Sequence, residues 1–71
     1  MTKTELLAVI KTAVNTNATK LNLNSQSITE LPHEIGQLKN LTMLHLYNNE
    51  LTSLPPEIGA LERLRIYGFR A

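Results

Sequence analysis

Cysteine and aspartate are both missing from this 71-residue sequence, and each absence removes a class of function. Without cysteine there is no disulfide, no thiolate metal site and no Cys nucleophile. Without aspartate a Ser-His-Asp triad cannot be assembled. Aromatic residues make up 4%, so the core must be aliphatic. An excess of one charge is missing too. Seven Lys+Arg face six acids, all of them Glu, for a formal charge of +1. That balance gives no electrostatic case for nucleic acid or for an anionic membrane. The longest apolar run, Leu6 to Ile10, is far below the roughly 20 residues a membrane helix needs. The N-terminus has one early Lys and then alternates polar with apolar residues, unlike a signal peptide. The expectation is a cytoplasmic protein.

The length allows one domain. A core of this size seldom supplies more than about 3–5 kcal/mol without staples, metal or oligomerisation. Self-association is therefore expected from size alone.

What is present is a repeat. Leu21, Leu23, Ile28, Leu31, Pro32, Glu34, Ile35, Gly36 and Leu38 recur 23 residues later as Leu44, Leu46, Leu51, Leu54, Pro55, Glu57, Ile58, Gly59 and Leu61. One further step maps Leu41 to Leu64, Leu44 to Tyr67 and Leu46 to Phe69. Alternate residues of LNL and LHL face opposite sides of a strand, which turns the leucines inward. Ile28 and Leu31, with their counterparts Leu51 and Leu54, return to the core. Pro32 and Pro55 stop strand growth on the return side. HEIGQL and PEIGAL suit one helical or 3₁₀ turn, with Gly36 and Gly59 allowing tight backbone there. The amide of Asn49 can bond the backbone of the turn after the strand; its counterpart, Gln26, is one methylene longer. One unit cannot bury its own apolar edge, so neighbouring coils must cover each other.

The pattern L-x-L-x-x-(N)-x-(I/L)-x-x-L-P-x-(E)-I-G-x-L resembles the leucine-rich repeat family, in its 23-residue bacterial and intracellular form, over about residues 18–71. The segment ELLAVIKTAVNTNATKLNLN also resembles, more loosely, the lead-in helix of cyanobacterial repeat proteins, including Roco-type GTPases. The resemblance implies an α/β solenoid with three parallel strands and short return segments. It divides the chain into an N-terminal capping helix (1–17), a first repeat (18–40), a second repeat (41–63) and a partial third (64–71).

The capping-box spacing Thr2 to Glu5 marks the helix start, with Thr4 as an alternative N-cap. Leu6, Leu7, Ile10, Ala13 and Val14 share one face. That stripe predicts a lid on the first repeat. A membrane-surface helix is the rival, but its polar face carries only Lys3 and Lys11 as cations.

The third unit ends after its strand, with no polar terminal element following it. Its strand edge would present unpaired backbone groups. At the constant offset Tyr67 and Phe69 replace inward leucines and sit over Ile58 and Leu61 with one side open. Each aromatic can bury about 150–250 Å², so leaving both wet forfeits several kcal/mol at about 25 cal/mol per Å². The expected remedy is a homodimer through Leu64, Ile66, Tyr67 and Phe69, with strand 64–70 antiparallel to its copy. Cover by a different partner, or a plug made by the aromatics themselves, are the other outcomes. So is a chain that is the N-terminal piece of a longer repeat protein with no independent activity.

Repeats of this kind imply a protein partner on the concave strand face. At an offset of 23 the outward columns are Lys20, Met43 and Ile66; Asn22, His45 and Gly68; and Asn24, Tyr47 and Arg70. The expected contact residues are Asn22, Asn24, Met43, His45, Tyr47 and Arg70, since Tyr and Arg are favoured at hot spots and Met adapts to varied surfaces. No catalytic residue, metal ligand set or cofactor is assigned. His33 and His45 are not at metal spacing. Ser25, Ser27 and Ser53 lack a nucleophile elbow, and Glu50 follows the turn after His45 rather than facing it. Arg63, Arg65 and Arg70 cluster near the C-terminus, but without a glycine-rich loop or interleaved aromatics they do not make a nucleic-acid site. Glu34 and Glu57 read as a solvated convex stripe. Asn17-Ala18-Thr19 and Asn40-Leu41-Thr42 match the glycosylation pattern; without a secretion signal both matches are expected to be accidental.

Overall fold

The computed structural model describes residues 1–69. Helix α1 (Lys3–Asn15) leads into three parallel strands, β1 (Lys20–Asn22), β2 (Met43–His45) and β3 (Arg65–Tyr67). Two 3₁₀ helices, η1 (His33–Gln37) and η2 (Pro56–Ala60), lie between them. The sheet order is β1-β2-β3, so each coil adds its strand to the same side. This is a short α/β solenoid.

The capping box forms. Glu5 N–H donates to Thr2 Oγ1 at 3.1 Å, and Thr2 N–H donates to Glu5 Oε1 at 2.8 Å. Two orphan donors of the first turn are thereby satisfied. The Thr2 backbone bond, then its hydroxyl, hold the Glu5 carboxyl below its ordinary 4.5. A carboxylate with a lowered folded pKa stabilises the fold above its unfolded value, and that contribution is lost as pH falls through the folded value. Titration followed by NMR should place Glu5 below 4.5. Thr2→Ala should raise it part of the way back, because the backbone bond remains; no change on substitution would contradict the hydroxyl's share.

The helix ends at Asn15 with Thr16 as its C-cap, and the next residue, Asn17, is left-handed with a φ of 53°. Ala18 N–H reaches Ala13 O at 2.9 Å and Asn17 N–H reaches Val14 O at 3.2 Å, the paired bonds of a Schellman end. Leu6, Ile10 and Ala13 are buried and join one cluster with the inward residues of the coils. Leu7 and Val14 stay half-exposed at the margin of the stripe. The helix lies over the first coil as the expected lid.

Each coil turns in the same way. Pro32 and Pro55 are extended residues whose carbonyls accept from Ile35 and Ile58 at the start of η1 and η2. The two 3₁₀ helices stack on each other behind the sheet. Gly36 is where they touch. A Cβ there would lie 2.9 Å from Glu57 Cβ and 3.0 Å from Glu57 O.

The third strand departs from the expected register. β1 and β2 keep the offset of 23, with Leu21 opposite Leu44. β3 is one residue out: Met43 pairs with Arg65, Leu44 with Ile66 and His45 with Tyr67. A slip of one residue exchanges the faces of a strand. Ile66 therefore turns inward under Leu44 and leaves the outward column with Met43. Tyr67 does not replace an inward leucine but faces outward beside His45. An aliphatic side chain suits the place next to Leu44, whereas a buried phenol needs a hydrogen-bond partner for its hydroxyl. Gly68, at φ 86°, makes the correction. Its left-handed backbone returns Phe69 to the core cluster. A Cβ at Gly68 would lie 2.5 Å from Tyr47 N, so only glycine fits.

Candidate functional site

Two surfaces emerge. The first is the sheet face turned away from the leucine core. It carries Lys20 and Asn22 from β1, Met43 and His45 from β2, and Arg65 and Tyr67 from β3. The slipped register places Tyr67 flat on His45, with ring centroids 5.0 Å apart and planes at 18°. Tyr47 follows at 6.4 Å from His45 and is 51% exposed. His45 thus neighbours two tyrosine rings, one from its own coil and one from the next. Tyr67 is the member that a constant offset misses, and Gly68 is the signal that could have revealed it, since an isolated strand glycine often marks a local shift of pairing.

Of the six residues expected on this face, Met43, His45 and Tyr47 stand on it with free side-chain surface. Asn22 and Asn24 are already engaged. Asn24 Oδ1 accepts from Tyr47 N–H at 2.8 Å, tying the first coil to the second, and Asn22 Oδ1 accepts from Asn24 N–H at 3.0 Å. Arg70 lies outside the described residues. Glu50 stands in the turn, its N–H donating to Ile28 O. Among the described residues no three His, Cys, Asp or Glu side chains gather as a metal site. His33 pairs with its neighbour Glu34 at 3.5 Å and is remote from His45 in the repeat. No described helix is long and apolar enough to cross a membrane.

The turn beyond the strands explains how the coils hold together. Asn49 Oδ1 accepts from Gln26 N–H at 3.0 Å and from Ile28 N–H at 3.1 Å. Its Nδ2 donates to Leu23 O at 2.7 Å and to Leu46 O at 3.2 Å. One amide therefore serves the turns of two coils. Gln26 does a different job: its Nε2 donates to Asn24 O at 3.1 Å, and its backbone carbonyl accepts from the Met1 amine at 2.7 Å.

The second surface is the β3 end of the solenoid. Leu31, Ile35, Leu41 and Leu46 are buried in the first and second coils. Their counterparts Leu54, Ile58, Leu64 and Phe69 are only half-buried, though they pack on the same core. Ile66, opposite the fully buried Leu44, is half-buried too. Side-chain type is nearly constant between coils, so the difference comes from what packs on each: the second coil covers the first, and among the described residues only β3 and its flanks follow the second. Arg65 N–H and Tyr67 O bond toward β2, and the alternation of a strand turns the N–H and C=O of Ile66 the other way. A hollow of about 290 Å³ opens here between Leu46, Asn49, Leu51 and Phe69. Of the expected edge residues, Leu64, Ile66 and Phe69 lie at this end, and Tyr67 has moved to the sheet face.

No curated protein matches the chain. The family described as Leucine rich repeat matches residues 16–66. Repeats of this family are typically non-catalytic modules that bind other proteins. The match runs from the end of α1 into β3 and takes in both complete coils, well over half the sequence, so the chain belongs to the leucine-rich repeat family.

Proposed function

We propose that the chain is a non-catalytic protein-interaction and assembly module that pairs with a second copy of itself through its β3 end. The observation that carries this is the contrast between equivalent residues: Ile35 is 0% exposed, while Ile58, one coil later, is half-buried. The same holds for Leu31 and Leu54 and for Leu41 and Leu64. A solenoid end with apolar side chains and an unpaired strand edge gains from being covered. An isologous pair would set β3 antiparallel to its copy and join two three-stranded sheets into one. Leu64, Ile66 and Phe69 form the contact, and Tyr67 borders it from the sheet face.

The sheet face is the site for a different protein. Tyr47, His45 and Met43 offer exposed aromatic and adaptable surface at the middle, with Asn22 and Asn24 on one side and Tyr67 on the other. The 23-residue period supports the bacterial, intracellular form of the repeat, and with it a cytoplasmic protein.

Light scattering on the 71-residue chain at micromolar concentration tests the pairing. A dimer mass is expected, and Phe69→Ser should return it to the monomer mass. A wild-type chain that keeps a monomer mass at every concentration would remove the self-association reading. That outcome would favour the second reading, in which the chain is the N-terminal part of a longer repeat protein and its own next coil covers the end.

A further inference from the structure

The near-neutral total of the chain conceals a division of charge that the fold reveals. The outward positions of the three strands carry Lys20, Asn22, Met43, His45, Arg65 and Tyr67, two cations and no acid. Lys20 and Arg65 flank Met43 in one row, two strand spacings or roughly 10 Å apart. Beside that row, at the strand starts, a hollow of about 390 Å³ is lined by Lys39, Arg63, Thr19, Thr42 and Glu62 among others. All four cations are exposed, and the one ion pair among the described residues is His33 with Glu34. This side therefore holds four cations against Glu62, a formal +3. Elsewhere in residues 1–69 Lys3 and Lys11 face the five other glutamates, a formal −3. Those glutamates lie in α1 (Glu5), in the 3₁₀ helices (Glu34 and Glu57) and in the segments that follow the strands (Glu30 and Glu50). The division follows the repeat, which puts cations before or within the strands and, Glu62 excepted, glutamates on the return. Like charges this close repel, and salt screens only part of that repulsion.

We propose that the sheet face, with the strand-start hollow beside it, binds a short acidic segment of another protein. This rests on the sheet face being the partner site and gives that partner its chemistry. Carboxylates between Lys20 and Arg65, and at Lys39 and Arg63 on the hollow, relieve the repulsion and accept charge-assisted hydrogen bonds. Apolar or aromatic side chains of the same segment lie against Met43, His45 and the two tyrosine rings beside it. Those side chains favour a polypeptide over a bare polyanion. A long nucleic acid would also reach past the patch to the net-negative remainder of the surface, whereas a short segment stays within the positive field.

Titrating the 71-residue chain with three probes tests this: a short labelled peptide of alternating Glu and Tyr, its Gln-for-Glu counterpart, and a single-stranded oligonucleotide. The acidic peptide should bind at low salt, weaken as salt rises, and shift the NMR amide signals of Lys20, His45, Arg65 and Tyr67. The Gln counterpart should bind about tenfold more weakly or worse. Lys20→Glu with Arg65→Glu should weaken the acidic peptide by about tenfold or more. Lys3→Glu with Lys11→Glu makes the same change in net charge on α1 and should leave binding nearly as it was. All four positions are exposed, so thermal melts should show every variant folded. Equal weakening by both pairs would mean that net charge alone holds the peptide, and would overturn the patch. A Gln peptide that binds as tightly on the same amides would overturn the acidic preference and leave the sheet face as a partner site. Shifts confined to other surfaces, or none with any probe, would overturn both. An oligonucleotide that displaces the acidic peptide would replace the protein partner with nucleic acid.

Discussion

Asn49→Ala is expected to bring the protein close to its unfolding midpoint at 25 °C. The amide accepts two backbone N–H groups from the first coil's turn and donates to one carbonyl of the first coil and two of the second. Alanine removes all five bonds and supplies nothing in their place; Tyr47 O keeps the Ser25 N–H, so four backbone groups lose this partner. Turn groups left without partners cost about 1–3 kcal/mol each when water cannot reach them. These are only part-buried, so the low end applies, and the sum is still about 3–4 kcal/mol. A domain of this size has about 3–5 kcal/mol in total. Urea titration followed by circular dichroism measures the loss. Asn49→Asp keeps the two accepted bonds and forfeits the three donated ones, so it should fall between wild type and alanine. An alanine variant as stable as wild type would mean that water replaces the amide at no cost.

The second large effect separates two isoleucines that the repeat makes equivalent. Ile35→Ala removes a side chain with no exposure at all and should cost about 2–5 kcal/mol. Ile58→Ala removes a half-buried one and should cost about half as much in dilute solution. As the concentration rises and the β3 end is covered, the cost of Ile58→Ala should climb toward that of Ile35→Ala. The cost of Ile35→Ala should stay constant. Denaturant curves at low and high protein concentration decide it, and equal costs at every concentration would contradict cover by a second copy.

Most of the fold can be read from particular residues. Thr2 and Glu5 announce the helix start because a capping box is local, needing no tertiary contact. Leu21, Leu23, Leu44 and Leu46 reveal the strands because inward positions tolerate little variation. The third strand is harder. Ile66 and Tyr67 are adjacent and both able to pack, so a constant offset chooses the wrong one. The choice is made by a stack on His45 and by the left-handed turn at Gly68, neither of which periodicity encodes. The engagement of Asn24 is hidden for a related reason: its partner is the backbone N–H of Tyr47, a coil away. Likewise Gly36 and Gly59 are identical in the repeat, and only packing distinguishes the filled contact from the open one.

The most direct measurement is the melting temperature as a function of protein concentration. If the last coil rests on another copy, mass action stabilises the folded state, and the midpoint should rise steadily between about 1 µM and about 300 µM. Phe69→Ser should flatten that rise. A midpoint that holds constant across the range, with reversible melting throughout, would contradict the account.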